Sequence, residues 1–193
     1  MSDYRTIDDP YCYAGTHVLI NKLDIHDPVL LSQFEAEMYR ERLSEPLPNG
    51  KYDPAHYQAL HRHLFGDVFD WAGLYRTVRI QKETSVFCYP EHIAAAMNAL
   101  FAKLKKQNHY QGLSRADFAA NGASFLAEIN AIHPFREGNG RTQMIFLAMI
   151  AHRAGFTLHL EQLNPSPFLT AMIHSFHGDE DDLRQNLFDL IEY

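Results

Sequence analysis

His133-Pro134-Phe135-Arg136-Glu137-Gly138-Asn139-Gly140-Arg141, with the apolar run Met144-Ile145-Phe146-Leu147-Ala148-Met149-Ile150 close behind it, decides how this chain is read. Pro134 disfavours helical dihedrals at His133, so a helix arriving from the N-terminal side stops there. Gly138 and Gly140 tolerate positive φ and leave backbone amides uncovered. The segment after Arg141 is apolar on nearly every face, which predicts a buried helix. The Gly-Asn-Gly turn therefore stands where helix N–H groups lack partners and the macrodipole is positive. That is an anion site suited to phosphate.

Each side chain has a task in such a site. Glu137 is a hard oxygen ligand for Mg²⁺, which takes one or two carboxylates plus substrate phosphates. Arg141 can grip phosphate oxygens with paired hydrogen bonds, and Asn139 can donate to another. His133 has the side chain whose ordinary pKa lies nearest neutrality, so it can take a proton from an attacking hydroxyl. The grouping is what a nucleoside triphosphate with its Mg²⁺ needs. Phe135 is expected to pack and fix the loop, and Arg136 to lie on the surface.

This stretch resembles the signature of the Fic family, His-x-Phe-x-Asp/Glu-Gly-Asn-Gly-Arg-x-x-Arg. The resemblance extends over most of the chain. Asp9-Pro10-Tyr11, Gly15-Thr16 and Val18-Leu19 to Lys22 look like the opening of short bacterial members. Phe69-Asp70-Trp71-Ala72-Gly73, Arg76, Lys82 and Phe87 look like the stretch that carries the family's flap, and Glu128-Ile129-Asn130-Ala131-Ile132 leads into the motif as it does there. The resemblance implies a mainly α fold, a compact helical bundle with a short β-hairpin flap, as one domain over 1–193. Its active-site motif spans 133–144 and its flap about 77–88. It also implies transfer of AMP from ATP to a Ser, Thr or Tyr of a target protein. In that reaction His133 is catalytic, Glu137 holds Mg²⁺, Gly138, Asn139, Gly140 and Arg141 bind the nucleotide, and Lys82, Glu83, Thr84 and Ser85 dock the target.

One position departs from the signature: its second arginine falls on Met144. In the family that arginine helps hold the γ-phosphate and pairs with an inhibitory glutamate. A lost charge-assisted hydrogen bond is worth roughly 1.5–3 kcal/mol, which predicts weaker or differently posed ATP. Two rival readings follow: a binding module with a degenerate site, and a transferase that uses another nucleotide donor.

The family's inhibitory helix reads Ser/Thr-x-x-x-Glu-Gly/Asn. Ser124-Phe125-Leu126-Ala127-Glu128 has the spacing but continues into Ile129, on the segment that leads into the motif. By resemblance the chain looks like the class held in check by a separate small antitoxin carrying the glutamate helix. Similar stand-alone proteins act on bacterial targets such as topoisomerase subunits, and similar effector domains act on small GTPases of a host. The expected location is the bacterial cytoplasm, or a host cell if the chain is part of a delivered effector. It can be read as a whole protein or as a piece of a longer one.

The rest of the sequence reads as an ordinary globule. Its 193 residues can build one core, and 46% hydrophobic with 21% charged residues excludes a disordered chain. A net charge of −7 with no dense basic run argues against nucleic-acid binding. No apolar run is long enough to cross a membrane. Cys12 and Cys88 give neither metal spacing nor a disulfide framework. The pairs His61/His63, His152/His159 and His174/His177 lack a ligand spacing such as His-Glu-x-x-His.

Helical periodicity recurs along the chain. Leu30, Leu31, Phe34 and Met38 follow the start signal Asp27-Pro28, and Tyr57, Leu60, Leu64 and Phe65 follow Pro54. Further stripes comprise Ile93, Met97, Leu100 and Leu104, then Phe118, Phe125, Leu126, Ile129 and Ile132, then Phe168, Met172 and Phe176, and finally Leu183, Leu187, Leu190 and Ile191. Loops are expected at 43–51 and 164–167. Residues 77–88 alternate and predict a hairpin turning near Glu83-Thr84, whose edge could pair with an extended segment. Trp71 is expected to anchor its base.

Overall fold

Proline and aspartate starts set the helices in place. In the computed structural model, which describes residues 9–82 and 85–192, helix α1 spans Pro28–Ser44 and α2 spans Pro54–Phe65. Asp27 accepts from the amides of Val29 and Leu30, and Asp53 from that of His56. Pro28 and Pro54 occupy first-turn positions where no N–H is missed. Helix α3 (Pro90–Lys106) and α6 (Pro165–Phe176) also begin with proline, but without a side-chain cap. Helix α4 (Arg115–Ile132) is capped by Ser114, α5 runs Asn139–Ala154, and α7 runs Asp181–Leu190.

The core lies around α4 and α5. Phe118, Ala119, Ala123, Phe125, Leu126 and Ile129 of α4 are buried, and Ile145, Phe146, Leu147 and Ile150 of α5 pack with them. A near-continuous apolar helix must be covered on most sides, and α5 is covered by its neighbours. Phe146 meets Tyr57 of α2 edge-on at 5.2 Å and Phe101 of α3 at 5.5 Å.

Several expectations need correction: α1 runs on through Ser44, and Pro165 to Pro167 form the first turn of α6 rather than a loop, since proline fits the N-terminal turn of a helix. Leu30 was read into the apolar stripe of α1, but Leu31 is the fully buried residue of that helix and Leu30 faces solvent. Ile191 does not end a helix. It forms strand β4 (Ile191–Glu192), antiparallel to β3 (Thr157–Leu158), with Leu158 opposite Ile191. The hairpin is shorter than its alternation suggests. Strand β1 is Gln81–Lys82 and β2 is Ser85–Val86, with Gln81 opposite Val86. The reason is the Arg76 guanidinium, which donates to the carbonyls of Val78 (2.7 Å) and Cys88 (2.6 Å). Those oxygens are thereby taken from any longer ladder. Glu83 and Thr84, and the side chains of Lys82 and Ser85, lie outside the described residues.

Candidate active site

Helix α4 ends at Ile132, and His133 caps it in the left-handed region at φ 48°. From there to Gly138 most of the backbone carbonyls turn inward and find donors. Arg76 takes the oxygens of Ile132 (3.2 Å) and His133 (2.8 Å) with its side chain, and that of Pro134 (2.9 Å) with its own amide. Asn139 takes Phe135 O at 2.8 Å, His61 takes Glu137 O at 2.9 Å, and Thr142 takes Gly138 O at 2.9 Å. Buried carbonyls require such partners.

With its carbonyls committed inward, the loop delivers the first-turn amides of α5, which have no intrahelical acceptor. Gly138 caps α5 at φ 78°, and a Cβ there would come within 2.6 Å of the Phe65 ring. Glycine is thus required twice over, for its dihedral and for its close approach to α2. Gly140 lies within α5 with open space where a Cβ would stand. The Asn139 side chain does not reach outward to phosphate as the sequence suggested. Its Oδ1 accepts from Phe135 N at 2.9 Å and its Nδ2 donates to Phe135 O, so both ends close the loop. What Asn139 can offer an anion is its backbone amide, at the start of α5.

The His133 ring stacks on Phe87 with centroids 4.0 Å apart. Its Nδ1 lies 3.3 Å from Asn130 O. A carbonyl only accepts, so Nδ1 carries the proton, and in the neutral ring the lone pair is on Nε2. Glu137 accepts from Gly138 N through Oε1 at 2.9 Å, with its side chain 23% exposed. Arg141 lies over the Phe65 ring at 4.6 Å, is ion-paired to Glu35 of α1, and stands 3.7 Å from Glu137 Oε1. Burial pushes the Glu35 carboxyl above its usual range, against the opposing pull of Arg141.

His133, Gly140 and Arg141 stand on the wall of one cavity of about 610 Å³. Its other walls are mostly apolar, with Met144 from α5 and Phe168, Met172 and Phe176 from α6, although Asn130 and His177 line it too. Gln143 also lines it; the residue is buried, and its Nε2 has no hydrogen-bond partner among the described residues. A volume in this range suits a small organic ligand. Among the described residues no three of His, Cys, Asp and Glu converge as a metal site. A single Glu137 carboxylate with one oxygen beyond its amide contact fits a cation that brings its remaining ligands with a phosphate.

Several residues matter more than sequence reasoning gave them credit for. Arg136, expected on the surface, is buried and ion-paired to Asp9 at 2.7 Å. That pair ties the N-terminal segment to the motif, and Tyr11 extends the tie to the flap base through Thr77 N at 3.1 Å. Trp71 is half-buried and stacks on Phe69 at 4.5 Å.

His61 is fully buried against Phe135, with ring centroids 3.7 Å apart. It accepts from Gly73 N at Nδ1 and donates to Glu137 O from Nε2, which requires the neutral ring. Burial pushes it down to about 3 from 6.5. The unfolded chain binds the extra proton between those values, so this contribution to stability is complete above pH 6.5 and is lost as pH falls toward 3. His61→Gln can keep both hydrogen bonds without titrating. It is expected to flatten the acid limb of the unfolding free energy by up to about 1.4 kcal/mol per pH unit. Chemical denaturation between pH 4 and 7 measures this, and an unchanged slope would contradict a buried neutral ring.

Known proteins resemble this chain over most of its length. A model described as the Fic/DOC family matches residues 51–151. The probable protein adenylyltransferase y4lH of Sinorhizobium fredii is 52% identical over 180 residues, covering 93% of this chain and 94% of its own length. The protein adenylyltransferase VbhT of Bartonella schoenbuchensis is 34% identical over 94% of this chain, which spans 38% of VbhT. Among solved structures, the BepC protein of Bartonella tribocorum with bound AMPPNP superposes with a TM-score of 0.85 at 27% identity, covering 94% of this chain and 96% of its own. The N-terminal Fic domain of a Bep effector of Bartonella quintana with bound ADP gives 0.86 at 29% identity, covering 94% of each chain.

Proposed function

The chain belongs to the Fic/DOC family, and from that premise we propose that it is a protein adenylyltransferase moving AMP from ATP to a Ser, Thr or Tyr hydroxyl. One observation carries this reading. His133, Gly140 and Arg141 share the wall of a single apolar cavity, so base, anion-binding turn and cation meet beside room for a nucleoside.

The heterocycle enters the apolar part of the cavity, where the Gln143 amide offers donors to a ring nitrogen. The phosphates lie at the α5 N-terminus and Arg141. His133 Nε2 takes the proton of the target hydroxyl, whose oxygen attacks the α-phosphorus. The bond from that phosphorus to the bridging oxygen breaks, and pyrophosphate leaves. Mg²⁺ held by Glu137 would supply positive charge for the leaving pyrophosphate. The α5 amides and Arg141 stabilise charge that grows in the transition state, and placement of the reactants supplies much of the rate.

The target docks as an extended segment on the edge of β1 and β2, next to Phe87 and His133. Restraint in trans by a small antitoxin is part of the same reading. Ser124 to Glu128 sits inside α4, with Phe125 and Leu126 buried, and is not available to fold over the site.

The test is transfer of α-phosphate-labelled ATP to proteins of a bacterial lysate, with the natural chain and Met144→Arg in parallel. Label is expected in protein with the natural chain. Met144→Arg should bind ATP more tightly by about 10-fold or more, the equivalent of one charge-assisted hydrogen bond. Label with Met144→Arg alone would mean that position 144 has switched off, or redirected, an otherwise complete site. No label with either chain would sink adenylyl transfer.

A further inference from the structure

Arg141 is shared. One guanidinium nitrogen, Nη2, is bonded to Glu35 Oε1 and lies 3.7 Å from Glu137 Oε1. Glu35 comes from α1, 106 residues away, and its side chain is only 12% exposed. Phe65 lies under the guanidinium. Glu137 and Arg141 are four residues apart at the start of a helix, a spacing at which opposite charges pair readily.

Left alone, the arginine would close on Glu137. A carboxylate so engaged has its lone pairs committed to guanidinium N–H groups and cannot offer them to a divalent cation. Glu35 supplies a competing carboxylate on the other side of the same nitrogen. With Nη2 drawn to α1, Glu137 keeps the 3.7 Å separation and, among the described residues, accepts only the Gly138 amide at Oε1.

We propose that Glu35 is a positioning residue that holds Arg141 away from Glu137 and so keeps Glu137 able to ligate a divalent cation. This rests on the reading of Glu137 as the Mg²⁺ ligand. It assigns a purpose to a buried acid that does not itself line the cavity.

The experiment uses Mn²⁺ as a spectroscopic stand-in for Mg²⁺. Free Mn²⁺ is titrated by electron paramagnetic resonance against the full chain saturated with ADP. Glu35→Ala is expected to weaken Mn²⁺ binding about 10- to 100-fold, the usual cost of removing a group that orients a metal ligand. Glu35→Gln, which preserves volume and a weaker acceptor, should fall between. Glu35→Ala/Arg141→Ala should recover Mn²⁺ affinity relative to Glu35→Ala, because no guanidinium remains to close on Glu137. A merely structural role for Glu35 predicts no such recovery. Unchanged Mn²⁺ affinity in a folded Glu35→Ala chain overturns the proposal. So does tighter nucleotide binding in that variant, which would make Glu35 a competitor of phosphate. Glu137→Gln is the control for the underlying reading: if it binds Mn²⁺ as the natural chain does, Glu137 is not the ligand and both ideas fall. If only Glu137→Gln weakens binding, that reading stands and Glu35 has no part in it.

Discussion

His133→Ala is expected to remove protein labelling, lowering the transfer rate by about 10²–10⁴-fold, the range a positioned general base supplies. The chain should still fold. The substitution loses the stack on Phe87 at 4.0 Å, worth about 0.5–1.5 kcal/mol for an aromatic pair. It keeps a non-glycine residue at a left-handed dihedral already populated at φ 48°, so no new backbone strain is added. For a chain of this size 1 kcal/mol moves the melting temperature by roughly 2–4 °C, and a shift of that order is expected. Affinity for ATP should change little, because His133 acts on the incoming hydroxyl. A variant that labels protein at the natural rate would remove His133 from the mechanism.

Arg76→Ala should have the largest effect on stability. The side chain is 2% exposed and donates to four carbonyls, those of Val78, Cys88, Ile132 and His133. Truncation leaves those acceptors buried and opens a void between the flap base and the motif. Each unsatisfied buried acceptor costs about 1–3 kcal/mol; water entry offsets part of that, so a net loss of about 3–5 kcal/mol is expected, as for removal of a buried charged partner. The melting temperature should fall by roughly 10 °C. Arg76→Lys should recover little, because an ammonium cannot reproduce a planar fork serving oxygens on two sides. Transfer should fall with stability, since His133 loses the bond that holds its carbonyl. Thermal melts of the three chains decide the matter; a midpoint within about 2 °C of the natural chain for Arg76→Ala would show that water replaces the guanidinium at little cost.

The legible part of the fold was written in local signals. Proline after aspartate marks the starts of α1 and α2 because capping chemistry acts within three residues. The Pro134 break and the apolar run placed α4 and α5 on either side of the motif. Less legible were groups that act across long separations. The side-chain partners of Arg76 lie up to 57 residues away, that of Glu35 lies 106 away, and that of Arg136 lies 127 away. Periodicity reports which face of a helix is apolar, not which buried cation will meet which carbonyl. Arg136 looked like a surface residue because nothing near it in sequence announces Asp9 as its partner. His61 looked like one of 12 ordinary histidines, and only burial against Phe135 sets it apart. Asn139 fits the anion-site pattern equally well facing outward or inward, and the structure turns it inward.

The inward carbonyls from Ile132 to Gly138 bear on timing. Fixing one residue's backbone costs about 1–2 kcal/mol of conformational entropy, and here that cost falls on folding, before any ligand arrives. A nucleotide that reaches the mouth of α5 finds the amides already aimed, so its contact energy is not drained into arranging a loop. The freedom left for binding to restrain lies in the side chains that face the cavity. Selection among ligands then turns on charge and shape at the moment of encounter rather than on any remodelling of the turn.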